Sequence, residues 1–390
     1  MDKLQEKAPN DVTDYRIVKL TDGSTIVGSI TLDKDFLRIQ NPLRLVTVPR
    51  VTEFGVKDDS TLSPWVPFSE DKLYICQVSL KGNVPIIIKN YQKLKFFYKD
   101  FNIFVICPKK DFKYFKKKLR YNEFTVINED QIISFHKFKK IFYRLSKRYR
   151  FKSLFKKRLS WYYQQILKLA FVFYFLKKFH KKIILWDADT IIAKKIEFFN
   201  EDFSTKFGTF AEFHKSYFET NKVLLGKLPK YFISSVVQFG SITKNECEIL
   251  MKKLKIKSIK INIIAKDLSV LIMQKIFLIS CSYNGSLFSE YELIGNSNIL
   301  IKPGKQKMIA NLRKGLKGSL SSKQLYFLSL LNITNVTYEH THNNINSKGM
   351  LKRKLSWYNF IIIVLKTKLK FYYNLVKHNV LFNLNIDKMN

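Results

Sequence analysis

Hydrophobic and polar positions alternate in short runs over the first 80 residues. YRIVKL, TIVGSITL, FLRIQ, LRLVTV and KLYICQVSL read as strands, with Asp22-Gly23 as a tight hairpin between the first two and a polar loop through Lys57–Ser60. Five strands in so short a stretch predict a small, strongly bent barrel or sandwich, capped by a helix over Tyr91–Asp100. From Asn102 the period changes. NIFVICP is a buried strand, DFKYFKKKL a helix and FTVIN a strand; a basic amphipathic helix runs from Ser134 to about Phe155 and a long helix over Trp161–His180. IILWDADTII is then an apolar strand interrupted by two carboxylates. Strands alternating with helices predict an α/β domain with a mainly parallel sheet. The stretch 332–349 is polar without helical period, and Trp357–Phe382 reads as a basic, aromatic helix.

Charge and proline place the division near residue 100. Residues 1–100 hold 15 Lys/Arg against 13 Asp/Glu, whereas 101–390 hold 54 against 18, within a net charge of +38. Six of the nine prolines precede residue 100. The expected organisation is therefore a β domain over 1–100, an α/β domain over 101–350 and a terminal helix over 351–390. The basic excess points to nucleic acid or an anionic membrane. It also fits coding bias, since 58 of the 69 basic residues are Lys, and nucleic-acid recognition favours Arg. Nucleic acid is therefore not the favoured partner. The cysteines Cys76, Cys107, Cys247 and Cys281 stand far apart, which argues against a disulfide scaffold and a structural zinc site. The polar N-terminus and short apolar runs suggest a reduced, cytoplasmic location without a membrane span.

The chemistry concentrates at Asp187 and Asp189. A period of two would place both on one side of an extended strand, with Ala188 leaving room between them. Hard oxygen ligands so placed suit Mg²⁺ or Mn²⁺, particularly a cation that also takes diphosphate oxygens; solvated strand-end carboxylates are the bland alternative. In WYYQQILKL, Trp161, Gln165 and Lys168 fall on one helix face. Gln164 and Gln165 can bond sugar hydroxyls or a base edge, and Lys168 can neutralise a phosphate, unless this is a core helix with polar edges.

WDADT after an apolar strand resembles the DxD motif of GT-A-type glycosyltransferases. With WYYQQILKL, EFHKSYFETNKVLLG (212–226) and FSEYELIG (288–295), it resembles an uncharacterised glycosyltransferase-like family of bacteria and viruses over about residues 102–345. The resemblance implies a Rossmann-like, nucleotide-diphospho-sugar transferase fold that begins at its second strand near Phe101, VPIIIKNYQ being a poor match to the first. It implies Mn²⁺ or Mg²⁺, a nucleotide-sugar donor and a glycan or lipid-linked acceptor. Asp187, Asp189 and His340 are then the metal candidates. Gln164, Gln165, Lys168, Trp186, Asp187 and His214 are the donor-binding candidates, with Glu212 and His214 alternating on one strand face. Glu290, Glu292 and Glu212 are the catalytic candidates, Glu290 as general base to an acceptor hydroxyl.

The N-terminal run YRIVKLTDGSTIVGSITLDKDFLRIQNPLRL, with LSPWVPF, resembles phage Sm-like proteins over about residues 13–98. That implies a bent barrel able to form rings, a route to a homo-oligomer. The alternative function is such a ring-forming or RNA-binding module fused to an inactive transferase remnant. The terminal aromatic and lysine residues suit an anionic membrane surface, which would make the chain peripheral to the inner membrane.

Overall fold

The computed structural model describes residues 15–19, 25–33, 36–52, 55–64, 72–149, 158–179, 182–199, 207–208, 214–229, 234–279, 286–301, 307–312, 316, 318–338 and 354–386. The chain divides into two compact units, 1–70 and 71–390.

In the first unit, β1 (Tyr15–Lys19), β2 (Thr25–Asp33), β3 (Phe36–Thr52) and β4 (Gly55–Pro64) form an antiparallel meander in that order. β1 and β2 pair with Lys19 opposite Thr25, and the Asp22-Gly23 signal between them lies outside the described residues. FLRIQ and LRLVTV are one continuous strand. Its register against β2 slips by one residue between Gln40 and Leu43, around Asn41-Pro42. A proline that cannot donate to the ladder is accommodated by such a bulge. The expected polar loop Lys57–Ser60 is paired strand, opposite Val48–Arg50 and Thr47. No barrel closure is present among the described pairings.

The second unit overturns the boundary at residue 100. β5 (Leu73–Val78), the run KLYICQVSL, is the middle strand of a five-stranded sheet. Its parallel neighbours are β6 (Phe101–Cys107) and β8 (Lys182–Trp186), with β7 (Phe124–Asn128) beyond β6. An antiparallel strand, β11 (Phe239–Thr243), completes the other edge beside β8. VPIIIKNYQ is no strand: it opens helix α1 (Val84–Phe97), with Pro85 in the first turn, where its missing N–H costs nothing. The sheet therefore has a parallel strand before Phe101, where none was expected.

The helices between strands are α2 (Phe112–Lys118) and α3 (Phe135–Arg148), started by Ser134, whose Oγ accepts the Lys137 N–H at 3.3 Å. Next come α4 (Leu159–Phe179), the short strands β9 (Thr190–Ile192) and β10 (Phe207–Gly208), and α5 (Lys215–Leu225). After β11 follow α6 (Lys244–Lys253), α7 (Ile261–Ile279) and α8 (Glu290–Ile301). The chain continues through β12 (Lys307–Met308), β13 (Ala310–Leu312), α9 (Ser322–Leu330), β14 (Ile333–Thr337) and α10 (Trp357–Ile386).

Alternation explains why the sheet is covered on both faces. Leu73 and Ile75 of β5, with Phe101, Ile103 and Val105 of β6, join Ile87, Tyr91 and Leu94 of α1 in one core. The intervening Tyr74 and Phe104 turn the other way, their rings 5.2 Å from that of Phe175 on α4. A strand buried on both faces reads as a continuous apolar run, and β5 is buried throughout. A second core lies under the sheet β13-β14-β9, where Leu325, Leu328, Phe360 and Val364 of α9 and α10 pack on Ile191, Leu312 and Val336. The polar stretch expected from residue 332 thus contains strand β14: buried Asn335 donates to the Val237 carbonyl at 2.9 Å, and Thr337 bonds Thr190.

Candidate functional site

IILWDADTII is not one strand. β8 ends at Trp186 and β9 starts at Thr190, so the two aspartates occupy a turn, in which the Thr190 N–H donates to the Asp187 carbonyl at 3.0 Å. The expectation of two carboxylates on one side of an extended chain is corrected accordingly. Trp186 holds the turn from below. Its indole is fully buried, stacks on Phe239 at 5.3 Å and 12°, and donates from Nε1 to the Thr190 carbonyl at 2.9 Å. Both aspartate side chains stay partly open at the carboxyl end of β8, where open α/β sheets bind ligands.

Asp187 meets a buried lysine. Lys168, in the middle of α4, donates from Nζ to Asp187 Oδ1 at 2.5 Å, to Glu290 Oε1 at 2.7 Å and to Tyr291 Oη at 3.1 Å. Tyr291 donates from Oη to the same Asp187 Oδ1 at 2.7 Å. One turn earlier on α4, Gln165 Oε1 accepts the Glu290 backbone N–H at 3.0 Å, satisfying a donor at the start of α8. The i, i+3 spacing of Gln165 and Lys168 therefore fastens α8 and the aspartate turn to one helix face.

Burial alone would pull the Lys168 ammonium down, but Asp187 first and Glu290 second outweigh it, and the group is held above its usual range. Glu290 is raised by burial, opposed by Lys168 and reinforced by Asp187. Tyr291 is raised well above its ordinary value by burial and then by Asp187, so it remains a donor. Beneath them Cys76 is pushed up to about 12 by burial and stays a thiol.

The sequence-derived candidates separate clearly. Lys168, Gln165, Asp187 and Glu290 come together. Glu290, however, is 3% exposed and paired with Lys168, so it anchors the lysine rather than facing an acceptor hydroxyl. Glu292 lies two residues on in a helix and points away from it. It is fully buried, and Oε2 accepts from the Ser235 N–H at 2.7 Å and the Ser234 hydroxyl at 3.2 Å. It secures the segment before β11, where Gly295 matters too: a Cβ there would stand 1.9 Å from Ser235 Oγ. Gln165 and Trp186 are too buried to touch a nucleotide. Gln164 is partly open and donates to the Val78 carbonyl at 3.4 Å, at the carboxyl end of β5. His214 begins helix α5, not a strand, with its ring 4.7 Å from that of Tyr217, and is exposed. Glu212 and His340 lie outside the described residues.

Two residues escaped the sequence. Tyr291 stands between the two glutamates that drew attention, and a helical reading of FSEYELIG would have singled it out. Gln238 carries no sequence signal. Its backbone is left-handed, φ 63°, and its carbonyl accepts the Asp187 N–H at 3.0 Å and the Tyr291 hydroxyl at 3.3 Å. Its side-chain oxygen accepts from Asn311 Nδ2.

The residues fit a hard divalent cation. The formal charge of Lys168, Asp187, Asp189 and Glu290 together is negative, and Asp187 keeps a second oxygen beyond the one taken by Lys168 and Tyr291. Among the described residues no three His, Cys, Asp or Glu side chains converge as a self-sufficient metal cage. Mg²⁺ needs none, because it binds through one or two carboxylates and completes its shell with substrate phosphates and water.

No protein-family model and no curated protein matches the sequence. The solved structures that resemble it include apo mouse xyloside xylosyltransferase 1, at 11% identity over 70% of this chain and 99% of that chain, TM-score 0.36. Others are the apo bifunctional glycosyltransferase WbbM (8% identity, 82% of this chain, 55% of that one, TM-score 0.33) and the PaToxG glycosyltransferase (12%, 67% and 85%, 0.23).

Proposed function

We propose that this chain is a divalent-metal-dependent glycosyltransferase that moves a sugar from a nucleotide-sugar donor to a glycan or lipid-linked acceptor. The observation that carries the reading is the Asp187-Ala188-Asp189 turn at the carboxyl end of β8, with one oxygen of Asp187 fixed by Lys168 and Tyr291. A parallel strand, β5, precedes β6 in the sheet, which supports the active reading over an inactive remnant.

Mn²⁺ or Mg²⁺ would be held by Asp189 and the second oxygen of Asp187, and would supply Lewis-acid neutralisation of a diphosphate leaving group. The protein's own groups prepare that site. Lys168, kept protonated by two carboxylates, sets the orientation of Asp187 and cancels part of its charge. Tyr291 supplies a second fixed donor to the same oxygen, which leaves the other carboxylate oxygen of the partly open Asp187 for a cation. Glu290 balances Lys168 from the opposite side. Gln164 offers an amide at the end of β5, and Lys81, Lys109 and Lys110 follow β5 and β6 as cations on the same edge of the sheet. A preorganised arrangement of this kind stabilises charge without reorganisation during reaction.

A binding scan of UDP, GDP and CDP, each with and without Mn²⁺, tests the proposal. One nucleotide should bind with metal at least tenfold more tightly than without. Equal, metal-independent affinity for all three would remove it.

A further inference from the structure

The last helix presents an apolar face to solvent. Phe360 and Val364 of α10 are buried in the second core, and Phe371 packs against it. At about 100° per residue, the opposite side carries Tyr358, Ile361, Leu365, Leu369, Tyr372 and Tyr373 within an arc of about 120°. These side chains are open: Tyr358 is 75% exposed, Ile361 44%, Leu365 56%, Leu369 69%, Tyr372 54% and Tyr373 67%. A continuous stripe of this sort on a helix already anchored by its other face is a surface that meets a partner.

Charge identifies the partner. Lys366 and Lys370 border one side of the stripe and Lys368 the other, with the Lys368 ammonium 5.6 Å from the centre of the Tyr372 ring. No Asp or Glu occurs between Trp357 and Ile386. A second copy docking on this face would set lysines against lysines across a two-fold axis, with no acid to answer them. No helix among the described residues is long and apolar enough to cross a membrane. An apolar arc edged with lysines and tyrosines lies instead in the plane of an anionic interface, its leucines among acyl chains and its ammonium groups at the headgroups.

We infer that α10 docks the protein flat on an anionic lipid surface through Tyr358, Ile361, Leu365, Leu369 and Tyr372, with Lys366, Lys368 and Lys370 at the headgroups. This stands independently of the transferase reading.

The test is flotation of the full chain with phosphatidylcholine vesicles and with vesicles that also contain phosphatidylglycerol, at about 0.15 M salt, where exposed charges are screened beyond about 8 Å. The wild type should partition onto the phosphatidylglycerol vesicles. Leu365→Gln with Leu369→Gln should lower partitioning about 100-fold, and the triple change Lys366→Gln, Lys368→Gln, Lys370→Gln should lower it by a similar factor. All substituted side chains are on the solvent side of α10, and circular dichroism should match the wild type. Three results would overturn the inference. One is no binding by the wild type. Another is full binding by the leucine pair, which would leave only a general basic surface. The third is a wild-type dimer in sedimentation that the leucine pair converts to monomer, which would assign the face to a second copy.

Discussion

Lys168 and Asp187 form a 2.5 Å ion pair in which the lysine is almost wholly buried and the aspartate keeps a quarter of its side chain open. The asymmetry gives the pair its use. The buried partner cannot leave, so the open partner is held in one orientation, and Glu290 at 2.7 Å balances the lysine from within. Removing one member of such a cluster leaves an uncompensated buried charge, which costs about 3–5 kcal/mol. Lys168→Met should therefore lower unfolding free energy by about that amount in a denaturant titration. Adding Glu290→Gln to it should recover part of the loss, since the second change removes one orphaned carboxylate. A purely additive double variant would contradict the coupling.

Deletion tests the corrected boundary. Residues 71–390 should express as a folded unit with a cooperative melt, because β5 and α1 both belong to its core. A chain starting at residue 101 lacks the middle strand of the sheet and should be insoluble or molten. Equal stability of the two would restore a boundary near 100.

Gln238 gives a backbone test. A non-glycine residue held at φ 63° costs on the order of 1–2 kcal/mol. Gln238→Gly should relieve that cost and offset the lost Asn311 hydrogen bond, leaving stability within about 1 kcal/mol of wild type. Gln238→Val, β-branched at the same φ, should destabilise by more than about 2 kcal/mol and loosen the Asp187 turn, whose N–H bonds the Gln238 carbonyl. Similar melting temperatures for the two variants would contradict this account.

The pH dependence has a definite sign. Glu129 is pushed up to about 7, by burial first and then by Asp130 and Asp111, and Glu290 is raised as well. The native state therefore holds more protons than the unfolded state above the ordinary carboxylate value near 4.5. Stability should fall as pH rises from about 4.5 to about 7. Glu129→Gln should flatten that slope and be more stable than wild type at about pH 8. A variant with an unchanged slope would locate the proton elsewhere.

Much of this fold was legible from periodicity, and the reasons for the misses are physical. The strand FNIFVIC, the helix beginning after Ser134 and the long helix through Lys168 all carry their patterns within one element. KLYICQVSL does not reveal its sheet, because a strand buried on both faces reads the same in a small barrel and in the middle of a parallel sheet. The aspartate pair was visible as a motif, but its turn depends on Trp186 reaching the Thr190 carbonyl. Gln165 and Lys168 were placed on one face by spacing alone. Tyr291 meets Asp187 across 104 residues of sequence, and Gln238 meets Tyr291 across 53; only tertiary packing joins them. The polar run from Asn332 shows no strand in sequence because the partners that satisfy Asn335 and Thr337 come from distant strands.

The most direct test of the proposed site is calorimetry of the nucleoside diphosphate that binds best, comparing wild type with Asp189→Asn, each with Mn²⁺ and with EDTA, at about 0.15 M salt. Asn keeps the size of the side chain and removes the charge that would hold the cation. Wild type should bind tightly with Mn²⁺ alone, binding in the other three conditions should be at least tenfold weaker, and the variant's circular dichroism should be unchanged. Equal affinity in all four would mean that the lysine-rich surface, not the Asp187-Ala188-Asp189 turn, binds the diphosphate.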